Sequence, residues 1–179
     1  APALAILLAH AGVRVGVLGG VGRLFQGRSA PARFLEALEI DRFDARASAP
    51  PALHVTSGSR MVFLSDFFID MDTIKAALEK YAGAGAVGVL AQLVDPAEED
   101  FPFQGRTEFL DTEGPDRRLF GDASSVAAGY RARFQAHRSA LSDAARRLGW
   151  TFVSHRTDRP PQTALLALYA ALGEHRMQQ

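Results

Sequence analysis

Two segments, Met61–Leu64 and Ala86–Val94, are almost wholly apolar, and the stretch between them repeats with the period of a helix. Ile74, Ala77, Leu78 and Tyr81 share one face of that helix, Asp72 stands where a capping residue would, and Gly83 and Gly85 follow its end. A strand that is apolar on both faces must be covered on both, and strand, helix, strand is the unit from which parallel sheets are built. The pattern predicts an α/β fold of the doubly wound, Rossmann-like kind, with helices on either side of a mostly parallel sheet.

The flanking sequence extends this frame. Leu4, Leu7, Leu8 and Ala11 recur at helical spacing, predicting a helix over 3–11 that Gly12 closes. Val13–Leu18 and Val21–Phe25 on either side of Gly19-Gly20 read as a hairpin, a helix is expected over 31–39, and residues 41–60 form a long aperiodic loop. After the second apolar strand, Asp95, Glu98, Glu99 and Asp100 read as solvated acidic loop. Arg106–Leu110 and Arg117–Phe120 flank Gly114-Pro115 as an inserted hairpin. The longest helix, over 123–148, carries Val126, Tyr130, Phe134, His137, Leu141, Ala145 and Leu148 as its apolar stripe. Its arginines, Arg131, Arg133, Arg138, Arg146 and Arg147, read as a wet face, with docking of an acidic partner as the alternative. A last strand is expected over 150–154 and a last helix over 163–172.

Composition narrows the function classes. A chain of 179 residues supports one domain, 1–179, and 20 basic against 20 acidic side chains leave no cationic excess of the kind a nucleic-acid binder uses. With no cysteine, thiolate nucleophiles, Cys-based zinc sites and disulfide scaffolds are excluded. His10, Arg14 and several glycines break the apolar run at the N-terminus, so membrane insertion by this segment is not expected. No basic segment precedes it as in a secretory signal, and the expected compartment is the cytoplasm.

Most candidate motifs fail on spacing. Gly16, Gly19, Gly20 and Gly22 invite a nucleotide loop, but a G-x-G-x-x-G starting at Gly20 meets Phe25 where it needs glycine. Asp70-Met71-Asp72-Thr73 has the D-x-D form of phosphoryl-transfer hydrolases, yet the strand ends earlier, at Asp66. The five histidines show no zinc-like pair, and no G-x-S-x-G occurs. In doubly wound sheets ligands bind beyond the carboxyl ends of the strands, which selects 65–72 and 95–100. Ser65-Asp66 is the most informative pair there. Asp66 suits a hard cation such as magnesium or calcium, or else it accepts the amides of its own turn.

Three stretches, VFLSDFFID at 62–70, QLVDPAEEDFPFQGRTEFLDTEG at 92–114 and YRARFQAHRSALSDAARRLGWTFVSHRTDRPPQTALLAL at 130–168, resemble the bacterial family gathered as Domain of Unknown Function 58. That family is similar to von Willebrand factor type A domains, and the resemblance runs from Leu4 to about Leu172. It implies a von Willebrand A-like fold and, in many members, a metal-ion-dependent adhesion site. That site combines an Asp-x-Ser-x-Ser loop after the first strand, a hydroxyl from a second loop and an aspartate after the fourth strand. The aspartate corresponds to Asp66 and the hydroxyl to Ser29, while residues 3–18 resemble the first helix and second strand. The first central strand and its serine loop would then precede Ala1, making the domain N-terminally incomplete and leaving a vacant central position in the sheet.

The expectation is a non-catalytic protein-interaction domain, with Ser65, Asp95 and Glu98 as partner-binding candidates and Asp66 and Ser29 as metal ligands. The resemblance implies a MoxR-type AAA+ ATPase as partner in complex assembly, with magnesium or calcium bridging to a carboxylate of the partner. The alternative is a metal-dependent phosphoester hydrolase that uses Asp66, Asp70, Asp95 and Glu98.

Overall fold

The computed structural model describes residues 1–18, 24–40, 55–110 and 117–174. The glycines at 19–22, the loop over 41–54 and the Gly114-Pro115 turn lie outside the described residues. Strands β1 (Arg60–Ser65), β2 (Val87–Val94) and β5 (Thr151–Arg156) form a parallel sheet in the order β1-β2-β5. Helix α3 (Met71–Gly83) connects β1 to β2, and α5 (Ser124–Arg147) leads back into β5. The hairpin β3 (Thr107–Leu110) and β4 (Arg117–Phe120) is inserted between β2 and α5 as a separate antiparallel pair.

Both faces of the sheet are covered. Leu90 of β2 packs with Ile74, Leu78 and Tyr81 of α3, with Leu141, Ala144 and Ala145 of α5, and with Trp150. Its neighbours Val89 and Ala91 point the other way, onto Leu4 of α1 (Pro2–His10) and Leu168, Ala171 and Leu172 of α6 (Pro161–Glu174). This alternation explains why β2 has no polar face. Each large side chain buried here contributes roughly 1.5–3 kcal/mol. A smaller cluster joins Ala5 and Ala9 of α1 to Ala30 and Phe34 of α2 (Ala30–Ile40).

Three expectations need correction. The cap of α3 is Asp70, whose carboxylate accepts the N–H groups of Asp72 and Thr73, both at 3.0 Å. Asp72 sits in the first turn and pairs with Lys75 at 3.0 Å instead. Val13–Leu18 and Phe25 meet in one isolated antiparallel bridge, Val15 to Phe25, rather than a two-stranded hairpin. Glycine weakens a strand, and Gly16 interrupts this one. Third, Pro96–Asp100 is a short helix, α4, rather than loop. Proline is favoured in a first helical turn, and Asp95 and Glu98 form a reciprocal capping box.

Among the described residues β1 is an edge strand, and Val13–Leu18 pairs with neither β1 nor any other strand of the sheet. On the inner side Gly88 lets β2 pass directly beneath Trp150, whose ring lies 2.6 Å from where a Cβ would be. Gly88→Ala is therefore expected to destabilise the fold by about 1–3 kcal/mol through overpacking. An unchanged urea midpoint would show that the indole does not seat there.

Candidate functional site

The carboxyl ends of β1, β2 and β5 place three segments side by side: the loop after β1, α4 with its flanks, and the residues after β5. In the first, Ser65 and Asp66 shape the chain. The Ser65 hydroxyl accepts the Phe67 N–H at 3.1 Å, and Asp66 Oδ1 accepts the Phe68 N–H at 3.1 Å and the Ser65 hydroxyl at 3.3 Å. These bonds hold Phe67 at φ 59°, in the left-handed region that bulky residues rarely occupy. His137 Nε2–H donates to the Phe67 carbonyl at 2.7 Å, and Gln92 donates to the Asp66 carbonyl at 3.2 Å. Phe67 is buried, and Phe68 turns outward at 43% exposure. Its ring leans on Phe134 and His137 with centroids 5.9 and 6.2 Å away.

Beside this loop lies a chain of charge-assisted hydrogen bonds. Gln92, 1% exposed, is the buried polar residue of β2, and its Oε1 accepts from Arg138 Nε at 3.4 Å. Arg138 also bonds Glu99 and stacks over the Phe134 ring, 4.8 Å from its centroid. Glu99 accepts a second arginine, Arg156, at 3.1 Å, and Arg156 in turn holds Asp100 and Asp158. Hydrogen bonds to the carboxylates of Asp158 and Asp100 push the pKa of the Arg156 guanidinium up from its already high ordinary value. Arg156 reciprocally lowers the pKa of both aspartates. An open cleft of about 480 Å³ lies between α4 and the end of β5, lined by Asp95, Pro96, Ala97, Asp100, Pro102, Thr157 and Asp158.

An aromatic cluster supports the outer side. Phe101, held at φ 44°, contacts Phe103, Phe109 and Tyr130 with centroids 5.2, 5.7 and 4.7 Å away. The contacts of Phe101 and Phe103 with Phe109 fasten the β3–β4 hairpin to the domain, and Phe109 meets Phe120 within the hairpin. Burial, with the nearby charge of Glu98, raises the pKa of Tyr130.

The sequence-derived residues meet this geometry unevenly. Ser65 and Asp66 lie together and act on their own turn. Asp95 and Glu98 cap α4: Asp95 Oδ1 accepts the Ala97 N–H at 2.8 Å, and Glu98 accepts the Asp95 N–H at 3.1 Å. Ser29 is exposed immediately before α2, its carbonyl accepting the Arg33 N–H at 3.1 Å. Among the described residues no hydrogen bond joins it to Ser65 or Asp66. The wet-face reading of α5 fails at Arg138, which is only 21% exposed against Glu99, while Arg131 stays exposed as it donates to the Asp100 carbonyl at 3.0 and 2.7 Å.

A divalent cation takes about six oxygens; at this edge the Ser65 hydroxyl and Asp66 Oδ1 each accept a backbone N–H, and Asp66 Oδ2 accepts no hydrogen bond among those described. Among the described residues no three His, Cys, Asp or Glu side chains gather where they could hold a metal. Comparison with models of known protein families, with curated proteins and with solved structures finds no match.

Phe68, Gln92 and Arg156 were not anticipated as parts of a site. Gln92 carried a signal, since it alone is polar within the apolar run Ala86–Val94. His137, on the stripe of α5, is a hydrogen-bonded boundary histidine, as its position suggested.

The pH dependence of stability follows from four depressed carboxylates. Backbone and side-chain hydrogen bonds lower Asp70 and Asp122, and Arg156 lowers Asp100 and Asp158. A depressed folded pKa adds stability above the unfolded value, which is lost as pH falls through the folded one. The melting temperature is expected to respond to these groups only below about pH 4–5, where unfolded aspartates begin to protonate. A fall between pH 7 and pH 6 in a thermal scan would show that other groups control stability.

Proposed function

We propose that this chain is a non-catalytic protein-interaction domain of the von Willebrand A type, and that its partner docks on Ser65–Phe68 at the carboxyl edge of the sheet. The observation that supports this reading is the backbone at Phe67. A bulky residue at φ 59° costs on the order of 1–3 kcal/mol and persists only where its surroundings over-determine it. Here Ser65, Asp66, Gln92 and His137 do so, and the result is an exposed Phe68 ring on a preformed loop. Aromatic side chains presented rigidly dominate binding at protein interfaces, because little freedom is left to lose. By the family resemblance the partner is a MoxR-type AAA+ ATPase, acting with this domain in complex assembly in the cytoplasm.

The hydrolase alternative requires Asp66, Asp70, Asp95 and Glu98 to share a metal. Each instead accepts backbone N–H groups of its own turn or helix start, which weighs against it. The same occupancy favours recognition by side-chain contact over a bridging cation.

Calorimetric titration against the MoxR-type ATPase tests the reading. Phe68→Ala is expected to weaken binding at least tenfold while leaving the melting temperature nearly unchanged, since the ring is exposed. Equal affinity for the variant and the parent would remove the loop from the interface. Magnesium or calcium titrated into the chain alone is expected to give no saturable heat. A saturable heat abolished in Asp66→Ala would reinstate the metal.

A further inference from the structure

We propose that Asp95–Asp100 is an ionic latch pinned by Glu99: when the Glu99 charge is lost it opens while the sheet stays folded, and in opening it loosens Ser65–Phe68 through Arg138 and Gln92. The proposal rests on the docking role of that loop only for its functional meaning; the latch itself is a property of the isolated chain.

Helix α4 has five residues and none is buried. A single helical turn has almost no stability of its own, and no apolar side chain within α4 anchors it. Buried Val94 and Phe101 fix the chain on either side, and between them what holds the turn is arginine. Arg131 donates to the Asp100 carbonyl, Arg138 and Arg156 grip Glu99, and Arg156 also holds Asp100. Such charge-assisted bonds are strong, and with side chains only 18 to 27% exposed the Glu99 pairs are shielded from salt. The sheet is held by buried apolar contact. The two parts therefore depend on different interactions, and loss of the Glu99 charge strikes one of them alone.

The coupling follows from Arg138. Its guanidinium is only 21% exposed, and its Nη2 is buried without a hydrogen-bond partner among the described residues. Glu99 is its one salt-bridge partner among the described residues. Once Glu99 leaves, an uncompensated charge remains beneath the surface, a state costly enough to drive the side chain toward water. Arg138 then releases Gln92 Oε1, and Gln92 is the residue whose amide holds the Asp66 carbonyl.

Amide hydrogen exchange by NMR on the unliganded chain reads both steps. In Glu99→Gln, the Ala97 and Phe101 amides are expected to exchange at least tenfold faster than in the parent, and those of Phe67 and Phe68 to accelerate with them. The amides of Val89–Ala91 in β2 are expected to keep their rates. Arg156→Gln, which takes from Glu99 and Asp100 their other partner, is expected to accelerate the same amides, which covers the case in which Glu99→Gln does not fold. Unchanged exchange in α4 in these variants would overturn the latch, and faster α4 exchange with Phe67 and Phe68 unchanged would overturn the coupling. Failure of the docking reading appears separately, as unaltered partner binding in Phe68→Ala.

Discussion

Strand β2 is paired along both edges and packed on both faces, and every other element of the domain takes its position from that double burial. Leu90 needs one helical layer and Val89 and Ala91 need another, so α3 and α5 assemble on one side while α1 and α6 assemble on the other. Parallel pairing with β1 and β5 then brings three carboxyl ends to one edge. Backbone groups there have left the ladder and must find other partners, which is why this edge is rich in side-chain-to-backbone hydrogen bonds.

Those partners explain how acidic residues are used at this edge. Asp66 serves a turn, Asp70 starts α3, Asp95 starts α4 and Asp122 accepts N–H groups near the start of α5. Glu99, Asp100 and Asp158 neutralise arginines. Each of these carboxylates is engaged in holding backbone N–H groups or a guanidinium. Part of the balance of basic and acidic residues is thus local pairing: Arg138 and Arg156 meet Glu99, and Arg146 meets Asp143. An outward-facing feature of this edge is aromatic, the Phe68 ring beside the Asp66 carboxylate.

Much of the fold was legible because burial imposes periodicity. The stripe Val126 to Leu148 on α5, the continuous apolar run of β2 and the hairpin around 114–115 each follow from side chains that must reach a common face. Local polar chemistry was harder to read. Asp70 and Asp72 both suit a helix start, and the choice fell to the point at which β1 and its turn release the chain. A run of acids after a strand looks like solvated loop until Pro96 and the Asp95–Glu98 pair are recognised as helix-start signals. The pairing of Val15 with Phe25 was visible in the alternation of valines, but its reduction to one bridge was not.

By itself, the sequence determined the α/β class, the order and approximate bounds of most elements, and the position of Ser65-Asp66 at the end of a buried strand. Spacing and hydrophobicity along the chain encode these, because each depends on residues a few positions apart. Only the tertiary structure decided that Glu99 faces Arg138 and Arg156, that Gln92 reaches the Asp66 carbonyl, and that Phe68 points outward while Phe67 points in. These contacts join residues from about twenty-five to seventy positions apart, or turn on a single φ angle, and no local pattern specifies them. They arise where strands end, after packing has fixed which chain segments lie side by side.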